Sequence, residues 1–503
     1  MTNASSATGA QQIAAGYAFE GPALELGTVV VDGVCDPAAQ VRIPLATVNR
    51  HGLVAGATGT GKTKSLQVIA EQLSAAGVPC LMADVKGDLS GLSRPGEPSD
   101  RTTQRATDTG DDWTPTAYPV EFLSLGTTGI GVPVRATISS FGPILLSKVL
   151  GLNQTQESTL GLIFHWADQK GLPLLDLKDL RAVIQFLTSD DGKPELKALG
   201  AVSKTTAGVI LRALVNLEAD GGDTFFGEPE LEPKDLMRVD AQGRGIITLL
   251  EVGDIDKPKL VFFFDEAHLL FSDASKAFLE QVEQTVKLIR SKGVGVFFCT
   301  QLPTDVPNAV LSQLGARVQH ALRAFTPDDQ KALSKTVRTY PKTEIYDLET
   351  ALTSLGIGEA IVTVLSEKGA PTPVAWTRMR APRSLMDTIG PEAIAAAAKA
   401  SSLQAEYGQT IERDSAYERL STRMAPPPPA PPAADPSLPP PLPVDIGGAT
   451  ASGEVKSRGT AEPGMLEKVM DSPAFKSAMR SAGTVIGREI TRSIFGTGRR
   501  RRR

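Results

Sequence analysis

The chain has 503 residues, with 52 Lys and Arg against 57 Asp and Glu, a net charge of −5. That length can bury a large core in more than one structural unit. The slightly acidic balance excludes a globally basic nucleic-acid binder, so any such contact must come from a local patch. Cys35, Cys80 and Cys299 are far apart, lack metal-ligand spacing and exclude a disulfide framework; Cys80 and Cys299 fall in apolar runs and are expected as core thiols of a cytoplasmic protein. No apolar run reaches membrane-spanning length, and the first residues lack the pattern of a secretory leader.

Residues 1–20 are small and polar and are expected to be flexible. Short β-like runs follow at Gly27–Val31 and Val41–Leu45, with Gly33 and Asp36-Pro37 as turns. His51–Ala55 reads as a buried strand, and Leu66, Val68, Ile69 and Leu73 recur at helical spacing up to about Ala76, where Gly77 is a stop signal. Pro79–Ala83 is a second core strand. Residues 93–115, rich in Pro, Gly, Thr and Asp, read as a surface loop. Strand character returns at Val120–Leu125 and Pro133–Ile138. Residues 141–237 read as a helical subdomain, with Asp176 and Asp179 where helix-start residues belong. Gly245–Leu250, Leu260–Phe264 and Gly295–Thr300 are apolar enough for a parallel sheet covered on both faces. An amphipathic helix over Ala274–Ser291 lies between the last two, and Val318–Arg323 and Glu359–Leu365 are expected as the final strands. An α/β core is thus expected over 21–390, with a helical extension over 391–424. A proline-rich linker (425–445) and a basic amphipathic tail (446–503) ending in Arg499–Arg503 follow.

Between the first core strand and its helix stands Gly56-Ala57-Thr58-Gly59-Thr60-Gly61-Lys62-Thr63, which fits the phosphate-binding P-loop G-x-x-x-x-G-K-[ST]. Its backbone N–H groups and the helix N-terminus suit phosphate oxygens. Lys62 would reach the β- and γ-phosphates of ATP, and the Thr63 hydroxyl would hold Mg2+. The apolar strand Leu260–Phe264 ends in Asp265-Glu266. Asp265 would hold the Mg2+ through water, and Glu266 would take a proton from the attacking water. Thr300 ends a buried strand and joins the nucleotide-contacting set. Gln301 follows it, where an amide could orient the water or sense the γ-phosphate. Arg290 precedes the same strand. Six or so residues at about 3.3 Å each put it roughly 20 Å from its own nucleotide, so a catalytic Arg290 would serve a neighbouring subunit. Arg317 and Arg323 are weaker candidates for that role. Asp84 and Asp88, flanking Lys86-Gly87, would lie near the phosphate edge.

The segments HGLVAGATGTGKT, ADVKGDLSGL, KPKLVFFFDEAHLLF, LIRSKGVGVFFCTQ and QLGARVQHALRAFTPDDQKAL together resemble the HerA-like ATPases of the HerA/FtsK class of P-loop NTPases. The resemblance covers about residues 20–390 and the arginine-bearing tail. It implies an α/β, RecA-like core with a mostly parallel sheet, ATP hydrolysis, a hexameric ring and translocation of double-stranded DNA. The in-trans arginine of that class corresponds to Arg290. The resemblance also implies a longer, helical stretch where this chain has only Glu251–Lys259. A parallel crossover needs a dozen or more residues. Either the strands on its two sides are not neighbours, or a crossover helix is missing. The alternative to a DNA motor is a nucleotide-gated switch or scaffold that binds protein partners or a membrane surface. The tail's own charge, 12 Lys and Arg against 5 Asp and Glu over 453–503, suits DNA phosphates, an anionic surface or an acidic partner.

Overall fold

The continuous apolar runs in the middle of the chain become the centre of one twisted sheet. A computed structural model describes residues 2–83, 89–126, 130–198, 203–249, 260–272, 274–290 and 293–424. Asp84, Asp88, the connection Glu251–Lys259, the proline-rich linker and the basic tail lie outside the described residues. Twelve strands occur among those described: β1 (Ala23–Val31), β2 (Val34–Pro44), β3 (Gly52–Ala55), β4 (Cys80–Ala83), β5 (Val120–Leu125), β6 (Val132–Val134), β7 (Ile247–Leu249), β8 (Leu260–Phe264), β9 (Val294–Thr300), β10 (Ala316–Gln319), β11 (Glu359–Thr363) and β12 (Ala375–Met379). Their order is β2-β1-β12-β11-β10-β3-β9-β8-β4-β7-β5-β6. From β10 to β6 every pairing is parallel, while β11, β12, β1 and β2 add an antiparallel flank.

Alternation explains the apolar runs. Val54, Met82, Phe263, Phe297 and Cys299 bury on one face of the sheet. Leu53, Leu81, Phe262, Val296 and Phe298 bury on the other. Helices cover both faces, so neither half of each strand can be polar. The helix Lys62–Ala75 packs on the first face through Leu66, Ile69 and Leu73 and ends at the left-handed Gly77. The helix Lys276–Ile289 covers the second through Val286.

Helices over 138–225 bury a core of their own, in which Trp166 stacks on Phe186 at 5.6 Å. Asp176 and Asp179 form a capping box at the start of Leu177–Thr188: each side chain accepts the other's backbone N–H. The last described helix, Ala416–Met424, returns to this core through Ala416 and Leu420.

Several expectations need correction. Residues 2–15 form a helix, and Ala10, Ile13 and Tyr17 are buried, where composition suggested flexibility. The Tyr17 hydroxyl lies 2.9 Å from the Val362 carbonyl and 2.7 Å from that of Pro373, which anchors this stretch to the antiparallel flank. The stretch 93–115 holds a helix, Asp100–Thr109, started by a Ser99–Thr102 capping box whose residues are also common in loops. Pro133–Ile138 supplies only the end of β6 before a helix begins at Ile138. β12 was missed because AWTRM is short and half polar; it inserts between β1 and β11. β7 and β8 lie on opposite sides of β4 and are not neighbours, although both run parallel to it.

Candidate active site

β3 lies between β10 and β9, with Ala55 opposite Gln319 and Thr300. Both neighbours grip the loop that leaves it. The Gly56 N–H donates to Thr300 O at 3.2 Å, and the Ala57 N–H to Ala321 O at 2.8 Å. The Gly358 N–H reaches Thr60 O at 3.0 Å, and Arg323 Nη2 reaches Thr58 O at 3.4 Å. Gly56 is needed because it has φ 151° and a Cβ there would stand 2.5 Å from His320 Cβ. Gly61, at φ 110°, is the N-cap of the helix Lys62–Ala75, which starts without a side-chain cap. Its first N–H groups therefore face the loop, as an anion site requires. Lys62 Nζ donates to Ala57 O at 3.2 Å, folding the half-buried lysine over the loop.

The two acids follow β8, one strand away across β9. Asp265 is buried; its Oδ1 accepts the Glu266 N–H at 2.9 Å. Asp265 Oδ2 is buried without a hydrogen-bond partner among the described residues. A buried carboxylate oxygen left open in this way fits a hydrated Mg2+ shared with phosphates. Glu266 has φ 48°, a left-handed conformation that costs a non-glycine residue about 1–3 kcal/mol. His268 Nδ1 lies 3.5 Å from its Oε2, and the Ala267 N–H donates to Cys299 O at 2.8 Å, tying the acid turn to β9. The Cys299 thiol is held well above its ordinary range, by burial first and then by Asp265; the charges of Lys62 and Glu266 act on it as well. One buried sulfur thus lies within the fields of the P-loop lysine and both acids.

Thr300 is fully buried, and its hydroxyl donates to Asp305 Oδ2 at 2.6 Å. That hydroxyl is committed to the following loop, where the Leu302 N–H also reaches Asp305 at 2.9 Å. Gln301 is exposed immediately past β9, at the sheet edge shared with Asp265. Arg290 is exposed at the other end of β9, at the C-terminus of Lys276–Ile289. The fold therefore gathers Gly56–Thr63, Asp265, Glu266 and Gln301 at one edge and leaves Arg290 at the opposite one.

Sequence reading missed His320. It is buried beneath the loop, with Nε2 2.9 Å from Ser65 Oγ, and burial lowers its pKa to about 4. Its only signal in the sequence is a lone histidine within the expected strand Val318–Arg323, which the structure ends at Gln319. Arg323 Nη2 lies beside the P-loop of its own chain, 3.4 Å from Thr58 O.

A P-loop strand, an intervening strand and an acid-bearing strand, all parallel, define a RecA-like P-loop NTPase. The family model described as helicase HerA-like C-terminal matches residues 32–252 and 248–503, and the chain belongs to that family. The two matched stretches meet beside the short β7–β8 connection. No curated protein matches the chain. Among solved structures, the unbound bacterial conjugative coupling protein TrwBdeltaN70 is similar at 14% identity and a TM-score of 0.47, over 75% of this chain and 94% of that one. The plasmid coupling protein TrwB in complex with ADP and Mg2+ is similar at 14% identity and a TM-score of 0.43, over 73% and 99%. VirB4 of Thermoanaerobacter pseudethanolicus is similar at 14% identity and a TM-score of 0.43, over 72% and 97%. No helix among the described residues is long and apolar enough to cross a membrane.

Proposed function

We propose that the chain is a Mg2+-dependent ATPase that works as a ring on double-stranded DNA. The observation that carries the ATPase reading is the sheet order, which brings the loop Gly56–Thr63 after β3 and the acids Asp265 and Glu266 after β8 to one edge, two parallel strands apart. The N–H groups of Gly56–Thr63 hold the phosphates, and Lys62 supplies the positive charge at the β- and γ-positions. Thr63 and Asp265 would hold the Mg2+, which would offset charge on the phosphate oxygens. Gln301 orients a water in line with the γ-phosphorus. As the water oxygen bonds to phosphorus and the β–γ bridging bond breaks, Glu266 takes the water's proton. Thr300 acts through Asp305, by fixing the loop that presents Gln301.

The distance of Arg290 from its own site supports action on the adjoining subunit, hence a ring, with a hexamer as the family expectation. DNA as the substrate rests on family membership. The basic tail, 446–503, supplies a tethered contact for DNA phosphates in this reading. The test is ATP turnover with and without double-stranded DNA, measured alongside oligomer mass. DNA-stimulated turnover by a hexamer supports the motor. Turnover indifferent to DNA favours the nucleotide-gated scaffold, and no turnover removes both.

A further inference from the structure

The two most exposed large apolar side chains among the described residues are Phe325, at 84%, and Ile357, at 77%. Both stand beside the P-loop. Phe325 is two residues past Arg323, whose guanidinium reaches Thr58 O. Ile357 precedes Gly358, whose N–H reaches Thr60 O. Their backbones are pinned although their side chains face solvent. The Phe325 N–H donates to Asp329 Oδ2 at 3.1 Å, and Thr326 caps the helix that follows. Arg105 donates to the carbonyls of Ile357, at 3.2 Å, and Gly358, at 2.8 Å.

The sheet order says which end of a nucleotide would lie here. The acids follow β8 and Gln301 follows β9, all on one side of β3. A triphosphate whose terminal phosphate meets Lys62 and Asp265 points that end toward β8. Its nucleoside must then leave across the other flank, past β10 and β11, and those are the strands whose adjoining segments carry Phe325 and Ile357. A planar base needs an apolar surface and tolerates an aromatic stacking partner.

We propose that Phe325 and Ile357 form the base platform of the nucleotide site, with Phe325 stacking on the base. This rests on the ATPase reading, and the test separates the two. Binding of ATP, ADP and inorganic tripolyphosphate, each with Mg2+, is measured on the full chain and on Phe325→Ala, Phe325→Trp and Ile357→Asn. Phe325→Ala should weaken ATP and ADP binding about tenfold and leave tripolyphosphate binding unchanged. Phe325→Trp should retain ATP affinity, and Ile357→Asn should show a smaller loss confined to the nucleotides. Unchanged ATP affinity in Phe325→Ala overturns the proposal. So does an equal loss for ATP and tripolyphosphate, which would mark a damaged P-loop. A fall in oligomer mass with ATP affinity retained would reassign Phe325 to a subunit contact. If the unmodified chain binds neither ATP nor tripolyphosphate, the nucleotide site itself fails, and the platform with it.

Discussion

His51 joins the strand that carries the P-loop to the helix that ends in Arg290. Its Nδ1 accepts the Val296 N–H at 3.1 Å, which leaves Nε2–H to donate to Val286 O at 2.7 Å. Only the neutral ring with its proton on Nε2 makes both bonds. Burial lowers its pKa to about 4, and the nearby Arg290 charge acts in the same direction.

His51 and His320 should make the fold acid-sensitive. Each is buried, titrates near 4 when folded and near 6.5 when unfolded. Between those values the unfolded chain binds more protons, so stability rises with pH. The contribution is complete above pH 6.5 and is lost as pH falls through 4. It amounts to about 3 kcal/mol for each ring. Urea midpoints measured from pH 7.5 to 4.5 should fall less steeply in His320→Asn than in the parent chain. Parallel curves would show that His320 keeps its ordinary pKa.

Glu71 should act with the opposite sign. It is buried on the helix Lys62–Ala75 and accepts the Arg383 N–H at 2.8 Å and the Ser384 N–H at 2.9 Å. Burial raises its pKa to about 7 in spite of those bonds. From pH 4.5 upward the folded chain holds a proton that the unfolded chain has lost. Its stability contribution is therefore full below 4.5 and is lost as pH rises through 7, by about 3 kcal/mol. The histidine and Glu71 effects oppose each other between 4.5 and 6.5, so each must be read from its own variant. The stability difference between Glu71→Gln and the parent should change across pH 5–8; a constant difference would refute the raised pKa.

Lys62→Ala should lose nucleotide binding or turnover, whereas Glu266→Gln should keep ATP binding and lose turnover by about a hundredfold or more. The amide preserves shape and cannot take the proton. ATP binding and single-turnover rates distinguish them. Weakened binding with residual turnover in Glu266→Gln would remove Glu266 from the role of base.

Arg290→Ala should keep nucleotide affinity and lose turnover. Mixed with Glu266→Gln protein, it should regain part of that turnover, because a mixed ring can pair an intact Glu266 with a neighbour's intact Arg290. No recovery at any ratio, with subunit exchange demonstrated by mass, would rule out action between subunits.

The legible parts of the chain were those written in local pattern. Gly56–Thr63 and Leu260–Glu266 are contiguous motifs, and the doubly covered strands show themselves as unbroken apolar runs. The illegible parts depend on what the chain meets later. Tyr17 follows a polar, small-residue stretch and is buried where its hydroxyl meets the Val362 and Pro373 carbonyls, while Ile13 is buried on the helix that packs against β1 and β2. β12 alternates too briefly to stand out and is fixed by β1 and β11. The place of Thr300 at a strand end is visible in the sequence, whereas its partner Asp305 shows only in the fold. His320 became part of the site only when β10 was laid beside β3.

The routes taken by the C-terminal segments decide where this chain can be cut. Gln67 and Glu71 on the helix Lys62–Ala75 bind Ser384 and its neighbours. Tyr407 is fully buried and donates its hydroxyl to Asp235 at 2.7 Å, while Arg135 holds the Tyr407 carbonyl at 2.9 Å. A recombinant fragment stopping near residue 390 would strip the covering from Tyr407's site and from the Ala416 and Leu420 sockets, and should expose apolar surface and aggregate. The shortest fragment that keeps all of these described contacts ends after Met424, so a truncation meant to remove only the tail should begin beyond that residue.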